Sequence, residues 1–182
     1  MAVMEAIATT YLEANAASVA FDLNSSPGNT YEHLQLRGMV LSAHPFGASD
    51  YTLNLATGGG SADTSNNYSH FNMFGSATSE EIVKGDNTRF KIYTGQATGQ
   101  SNEFSTYGHF VMDILDYRNP NKRTTVMVLT GLNDYQGSNE HAGLTGGLWE
   151  NTGAVTKVEI QGSYQDLVRG SSFFLYGLKS AN

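Results

Sequence analysis

The chain has 182 residues, enough for one β-rich domain that buries roughly 70% of the surface its unfolded form exposes. It has no cysteine, which excludes a disulfide and fits assembly in a reducing cytosol. Seventeen acidic against ten basic side chains give a net charge of −7, a balance that repels phosphate backbones and argues against a nucleic-acid partner.

The N-terminus, Met1-Ala2-Val3-Met4-Glu5, lacks the basic start and apolar run of a signal peptide. No run of about eighteen apolar residues occurs anywhere, so no membrane-spanning helix and no membrane partner are expected. Residues 1–5, with apolar Met1, Val3 and Met4 near a chain end, are read as a contact arm that packs on a neighbour. Met4 to Ala16 is rich in helix formers, but Ile7, Thr9, Thr10 and Tyr11 favour an opening strand.

Period-two alternation then recurs along the chain. Val19, Phe21 and Leu23 mark one strand; Leu34, Leu36, Gly38 and Val40 mark the next. Tyr51, Leu53 and Leu55 follow, then Tyr68–Phe74 and Arg89–Tyr93. The runs Phe110–Tyr117 and Thr125–Leu129 are dense enough to predict central strands buried on both faces. Thr156, Val158 and Ile160 mark a further strand, and Phe173–Leu178 closes the chain. Turn signals separate these runs, among them Ser25–Asn29, Lys84–Asn87, Arg118–Asn121 and Gln161–Ser163. Nine or ten short strands of this kind predict an all-β chain, a single antiparallel β-sandwich of jelly-roll type over residues 1–182. Val19, Phe21, Leu34, Leu36, Phe90, Ile92, Val126, Val128, Val158, Ile160 and Phe173 are its expected core. Two irregular stretches, Thr57–Asn67 and the glycine-rich Asn133–Gly147, are expected as long loops.

Chemistry-bearing motifs are missing from the sequence. There is no G-x-S-x-G, and Gly58-Gly59-Gly60 opens no helical pattern that would cradle a phosphate. The five histidines lie more than four residues apart, so no H-x-x-x-H or H-E-x-x-H zinc pair exists. Asn133-Asp134 with Glu140, or Asp63 with Asn66 and Asn67, offer oxygen ligands without EF-hand spacing. Asp113 and Asp116 stand three apart in an apolar run and face opposite sides of a strand, which excludes a paired-carboxylate site. One is expected to close a turn onto Asn119 and the other to bond a neighbouring loop. Trp149, the single tryptophan, fits an anchor between sheets better than a sugar platform, with Leu144 and Leu148 beside it. The expectation is a protein without enzymatic activity, catalytic residues, cofactor or metal.

Several stretches in order resemble a family of small tailed-phage virion proteins. They are Ile7–Leu12, Thr30–Gly38, Asn67–His70, Met112–Tyr117 before Asn121-Lys122, Gly147–Trp149, Ala154–Val158 and Gly170–Lys179. The resemblance spans nearly the whole chain and implies a non-enzymatic jelly-roll part of a virion, serving as capsid decoration or as a tail or fibre component. After Leu53-Asn54-Leu55 such proteins tend to show Asn-Gly-Asp, where this chain has Ala56-Thr57-Gly58-Gly59-Gly60. The function expected is a capsid decoration, or cement, protein on the virion surface, assembled in the host cytoplasm. Its expected partners are the major capsid protein or other virion proteins, and its expected form is a homotrimer. The competing reading is a tail or fibre-tip module binding host glycans, and an enzyme such as a depolymerase stands third. Met1, Val3, Met4, Tyr135 and Trp149 are the candidate partner contacts.

Overall fold

The alternation becomes twelve strands and, among the described residues, no helix. The computed structural model describes residues 3–44, 48–75, 80–85, 92–98, 106–133 and 141–179. The strands are β1 (Val3–Tyr11), β2 (Ser18–Asp22), β3 (His33–Val40), β4 (Ala48–Thr57), β5 (Tyr68–Gly75) and β6 (Glu80–Gly85). The second half supplies β7 (Ile92–Thr98), β8 (Gly108–Leu115), β9 (Thr124–Leu132), β10 (His141–Trp149), β11 (Val155–Gly162) and β12 (Ser172–Lys179).

Two antiparallel sheets result, one ordered β1-β12-β3-β8-β9-β10-β5-β6 and the other β2-β11-β4-β7. The first four strands alternate between the sheets, and the last two return to pair with them, β12 with β1 and β11 with β2. This nested fold-back makes the chain a β-sandwich of jelly-roll type.

Val19, Phe21, Leu34, Leu36, Val126, Val128, Val158, Ile160 and Phe173 are buried in one shared core, as the alternation predicts. Phe90 and the side chain of Ile92 lie outside the described residues. Tyr51 of the small sheet meets Phe110 of the large one, ring centroids 5.5 Å apart, and Phe110 meets Phe173 at 6.4 Å. Gly38 and Gly177 face inward and leave room for rings, Phe110 over the first and Tyr31 over the second. The Tyr31 hydroxyl donates to the Glu5 carboxylate, and the Lys179 ammonium sits 5.1 Å from its ring centre.

Three expectations are corrected. First, β8 and β9 are central, yet they are buried on one face only: β9 alternates strictly from Thr124 to Thr130, with Met127 46% and Leu129 55% exposed. Among the described residues nothing packs on the outer face of the large sheet, so the second apolar row is exposed. Second, much of Asn133–Gly147 is strand β10, paired on both sides along its length. Its glycines weaken strand propensity, but two neighbouring ladders override that preference. Third, Val3, Met4 and Glu5 belong to β1, opposite Lys179, Leu178 and Gly177, rather than to a detached arm. The apolar residues sit there because an edge of the sheet has open hydrogen-bonding groups. The long loop expected at Thr57–Asn67 is present at 58–67, and it is tied down. Lys157 Nζ donates to the Gly60 carbonyl (2.8 Å), Gly59 N–H to Thr156 Oγ1 (3.0 Å) and Asp63 N–H to the Leu55 carbonyl (2.7 Å).

Candidate functional site: the outer face of the large sheet

The outward residues of β8, β9, β10, β5 and β6 fall into register across five strands. Val111 stands opposite Leu129, Leu129 opposite Leu144, Leu144 opposite Met73, and Met73 opposite Ile82. Strands are about 4.8 Å apart, so this row makes an apolar ridge roughly 20 Å long. Beside it, Met127 and Phe71 flank Gly146, with nothing within 4 Å of the place a Gly146 Cβ would take. On the other side Ala142 and Gly75 form a low strip, and a groove of about 650 Å³ runs there under Met73, Ile82, Leu129 and Leu144. A shallower depression of about 450 Å³ follows Gly146 and Gly147 beside Phe71.

The side chains on this half are well exposed: Phe71 46%, Met73 45%, Ile82 68%, Met127 46%, Leu129 55% and Leu144 37%. At about 200 Å² for a large side chain, they show on the order of 600 Å² of apolar surface to water. That is the upper end of what a soluble monomer tolerates. The strands β5, β9 and β10 contain no Asp, Glu, Lys or Arg at all. The half made by β12, β3 and β8 is different. There Gln35 Nε2 donates to Asp113 Oδ1 (2.8 Å), Arg37 Nε donates to Gln35 Oε1 (2.8 Å), and the guanidinium lies 5.2 Å from the Tyr176 ring centre. One sheet face therefore has a polar, internally bonded half and an apolar half that is free of charge on β5, β9 and β10 and edged by β6, where Glu80 and Lys84 stand two positions either side of Ile82.

The residues singled out in the sequence are spread rather than gathered. Trp149 is fully buried, stacked on Tyr68 with centroids 6.2 Å apart, so it anchors the core and offers a partner no surface. Its indole N–H donates to Asp63 Oδ2 (3.0 Å), which also accepts from Asn67 Nδ2 (2.9 Å), while Asp63 Oδ1 accepts from Ser65 N–H (2.9 Å). Partial burial raises the Asp63 pKa, but donors from Asn67, Ser65 and Trp149 outweigh it and hold the carboxyl below its ordinary value. These donors occupy the oxygens that the calcium reading required. Met4 is 41% exposed on β1, at the far edge of the same sheet. Met1, Tyr135, Asp134 and Glu140 lie outside the described residues.

Asp113 reaches Gln35 on the adjacent strand instead of a loop. Asp116, at φ 54°, closes the turn through its backbone carbonyl, which accepts from Asn119 N–H (2.9 Å). Its carboxylate pairs with Lys122 Nζ at 3.0 Å. Glu32, His33 and Asp116 bring possible ligand atoms within 4.8 Å of one another, a cluster that spacing could not reveal because the chain separates its members. His33 Nδ1 already accepts the Asp116 N–H (3.0 Å), and Lys122 neutralises the Asp116 carboxylate, so the group is satisfied without a cation.

Sequence reasoning missed Phe71, Met73, Ile82 and Leu144 as surface residues. The signal was present in two forms: the apolar run of β9, and the absence of charge from three strands that turn out to be neighbours.

No protein-family model and no curated protein matches the chain. Among solved structures it is similar to galectin LEC-6 from Caenorhabditis elegans at 9% identity, covering 94% of this chain and 96% of that one, with a TM-score of 0.35. It is also similar to the sialidase CBM40 of Ruminococcus gnavus bound to α2,6 sialyllactose, at 10% identity, 94% and 92% coverage and a TM-score of 0.31. Lectin II from Ulex europaeus follows at 11% identity, 98% and 93% coverage and a TM-score of 0.26. Likeness at these values says nothing of what this chain binds.

Proposed function

We propose that the chain is a non-enzymatic structural protein of a tailed-phage particle, a capsid decoration protein that binds and stabilises the shell as a homotrimer. The observation that carries this reading is the apolar half of the outer sheet face, free of charge on β5, β9 and β10. A surface of that size leaves water only when protein covers it, which favours permanent assembly over a freely diffusing life. The ordered resemblance to small virion proteins supports the same reading and supplies the particle. Binding confined to the assembled shell stabilises that state by mass action, with no chemistry required.

The test is mass spectrometry of purified capsids freed of their tails, together with addition of the isolated protein to undecorated shells. The protein should be found in the capsid fraction in a fixed ratio to the shell protein, and its addition should raise the melting temperature of the shell. Presence in tails alone, with binding of the isolated protein to host glycans, would transfer the chain to the tail-tip reading.

A further inference from the structure

The geometry points to a second copy of this same chain as the occupant of the apolar half-face, the copies packing these faces against one another. This deepens the proposed function, because it assigns the face to self-assembly and leaves other surfaces to meet the shell. Three observations favour a copy over a foreign partner.

Charge is the first. Two chains of net charge −7 repel as whole molecules, so they associate best through a surface that carries no charge of its own. The strands β5, β9 and β10 provide one, and the charged positions of the face border it, Arg37 and Asp113 on one side and Glu80 and Lys84 of β6 on the other. A partner selected for an acidic protein would instead be expected to meet basic complements, and no acidic group stands on these three strands to receive them.

Shape is the second. The ridge through Leu129, Leu144 and Met73 is bordered by low ground on both sides, at Gly146 and along Ala142 and Gly75. A surface that carries its own knobs and its own holes is self-complementary. Around a three-fold axis the ridge of each copy meets the low ground of the next, a heterologous contact that closes into a ring.

Area is the third. Three faces of about 600 Å² bury on the order of 1,800 Å² of apolar surface around the axis, within the size range of stable, specific interfaces. The apolar content of the patch also matches obligate homo-oligomers, which resemble a core cut in two. Central strands that are apolar on both faces, as β9 is, then regain the double burial that their sequence prescribes.

The experiment is sedimentation of the full chain across a dilution series, for the natural sequence and for a variant carrying both Leu129→Glu and Leu144→Glu. The natural chain should sediment as a single closed oligomer of its 19.6 kDa unit. The variant should raise the self-dissociation constant by about thirty-fold or more and run as a folded monomer with the same circular dichroism. Ile82→Lys, on the outermost strand, gives the same readout with little risk to folding and stands in if the double variant fails to fold. A natural chain that remains monomeric at high concentration overturns the inference, and so does an oligomer that both variants leave intact. Should the natural chain be monomeric while the variants lose their place on shells, the face belongs to the shell protein; the function stands and the self-contact falls. If instead the chain is absent from capsids but oligomerises through this face, the inference survives the loss of the proposed function.

Discussion

Gly177 lies on the inner face of β12 with the Tyr31 ring laid against it, whereas Gly146, on the outer face of β10, has open space where a Cβ would stand. A methyl group at Gly177 would fall inside the ring of Tyr31, which is held by Glu5 and Lys179 and cannot swing aside freely. Gly177→Ala should therefore destabilise the fold by about 1–3 kcal/mol or more through overpacking. At roughly 2–4 °C per kcal/mol for a chain of this size, thermal melting resolves that loss. In the Leu129→Glu/Leu144→Glu background, where the face is free of a neighbour, Gly146→Ala should leave the melting temperature unchanged or raise it slightly, since Ala restricts the unfolded chain and meets nothing in the folded one. Equal shifts in melting temperature for the two substitutions would show that the Tyr31 ring yields. In the sequence Gly177 falls in the closing strand and Gly146 in an expected loop; the difference in packing lies in which partner the register brings opposite.

At the scale of elements, β1 decides what the N-terminus does. Its pairing with β12 begins at Val3, breaks register between Ala6 and Ala8, and resumes to Tyr11. Deleting residues 1–5 removes the first three of these pairs and the carboxylate that accepts the Tyr31 hydroxyl. The truncated chain should keep its sheet signature but lose about 1–3 kcal/mol, because a nearly buried hydroxyl is left without its acceptor. Urea unfolding measures this, and an unchanged midpoint would return residues 1–5 to the role of an arm. Alternation made most strands legible in advance, since Val19 to Leu23 or Thr156 to Ile160 have one face in the core and one in solvent. Two elements were hidden for different reasons. β10 was masked by Gly143, Gly146 and Gly147, which resemble a loop until two neighbouring strands supply the ladder. β6 is six residues long, Glu80–Gly85, and ends in the very residues that signalled a turn. The candidate site was half legible: the run Thr125–Leu129 announced two buried faces, but which neighbour buries the second is a property of sheet order, and sequence spacing does not encode that order.

Among the described residues, two of the groups through which the whole molecule responds to acid act in separate windows. His141 is nearly buried beside Phe74, and burial lowers its pKa, with Asp50 pulling weakly the other way. The folded state thus holds it neutral, while the unfolded chain takes up a proton near pH 6.5. Its stabilising contribution is complete above about pH 6.5 and declines as the pH falls toward its lower folded value. Asp63, with its carboxyl pKa held below the usual value, adds a second loss that begins below about pH 4. Urea midpoints measured at fixed protein concentration should fall between pH 7.5 and 5.5, roughly the range that the histidine spans, and His141→Gln should flatten that first decline. An unchanged midpoint over this range in the natural chain would exclude His141 as its source. The setting of Trp149 makes these measurements readable one from another. The chain has a single indole, shut inside the sandwich against Tyr68 and bonded to Asp63. Its emission wavelength reports loss of the interior and is indifferent to events on the outer face. Dissociation of copies should pass unseen by this fluorophore while light scattering falls, and unfolding should shift its colour to the red. The protein thus contains an optical reporter that separates coming apart from coming undone.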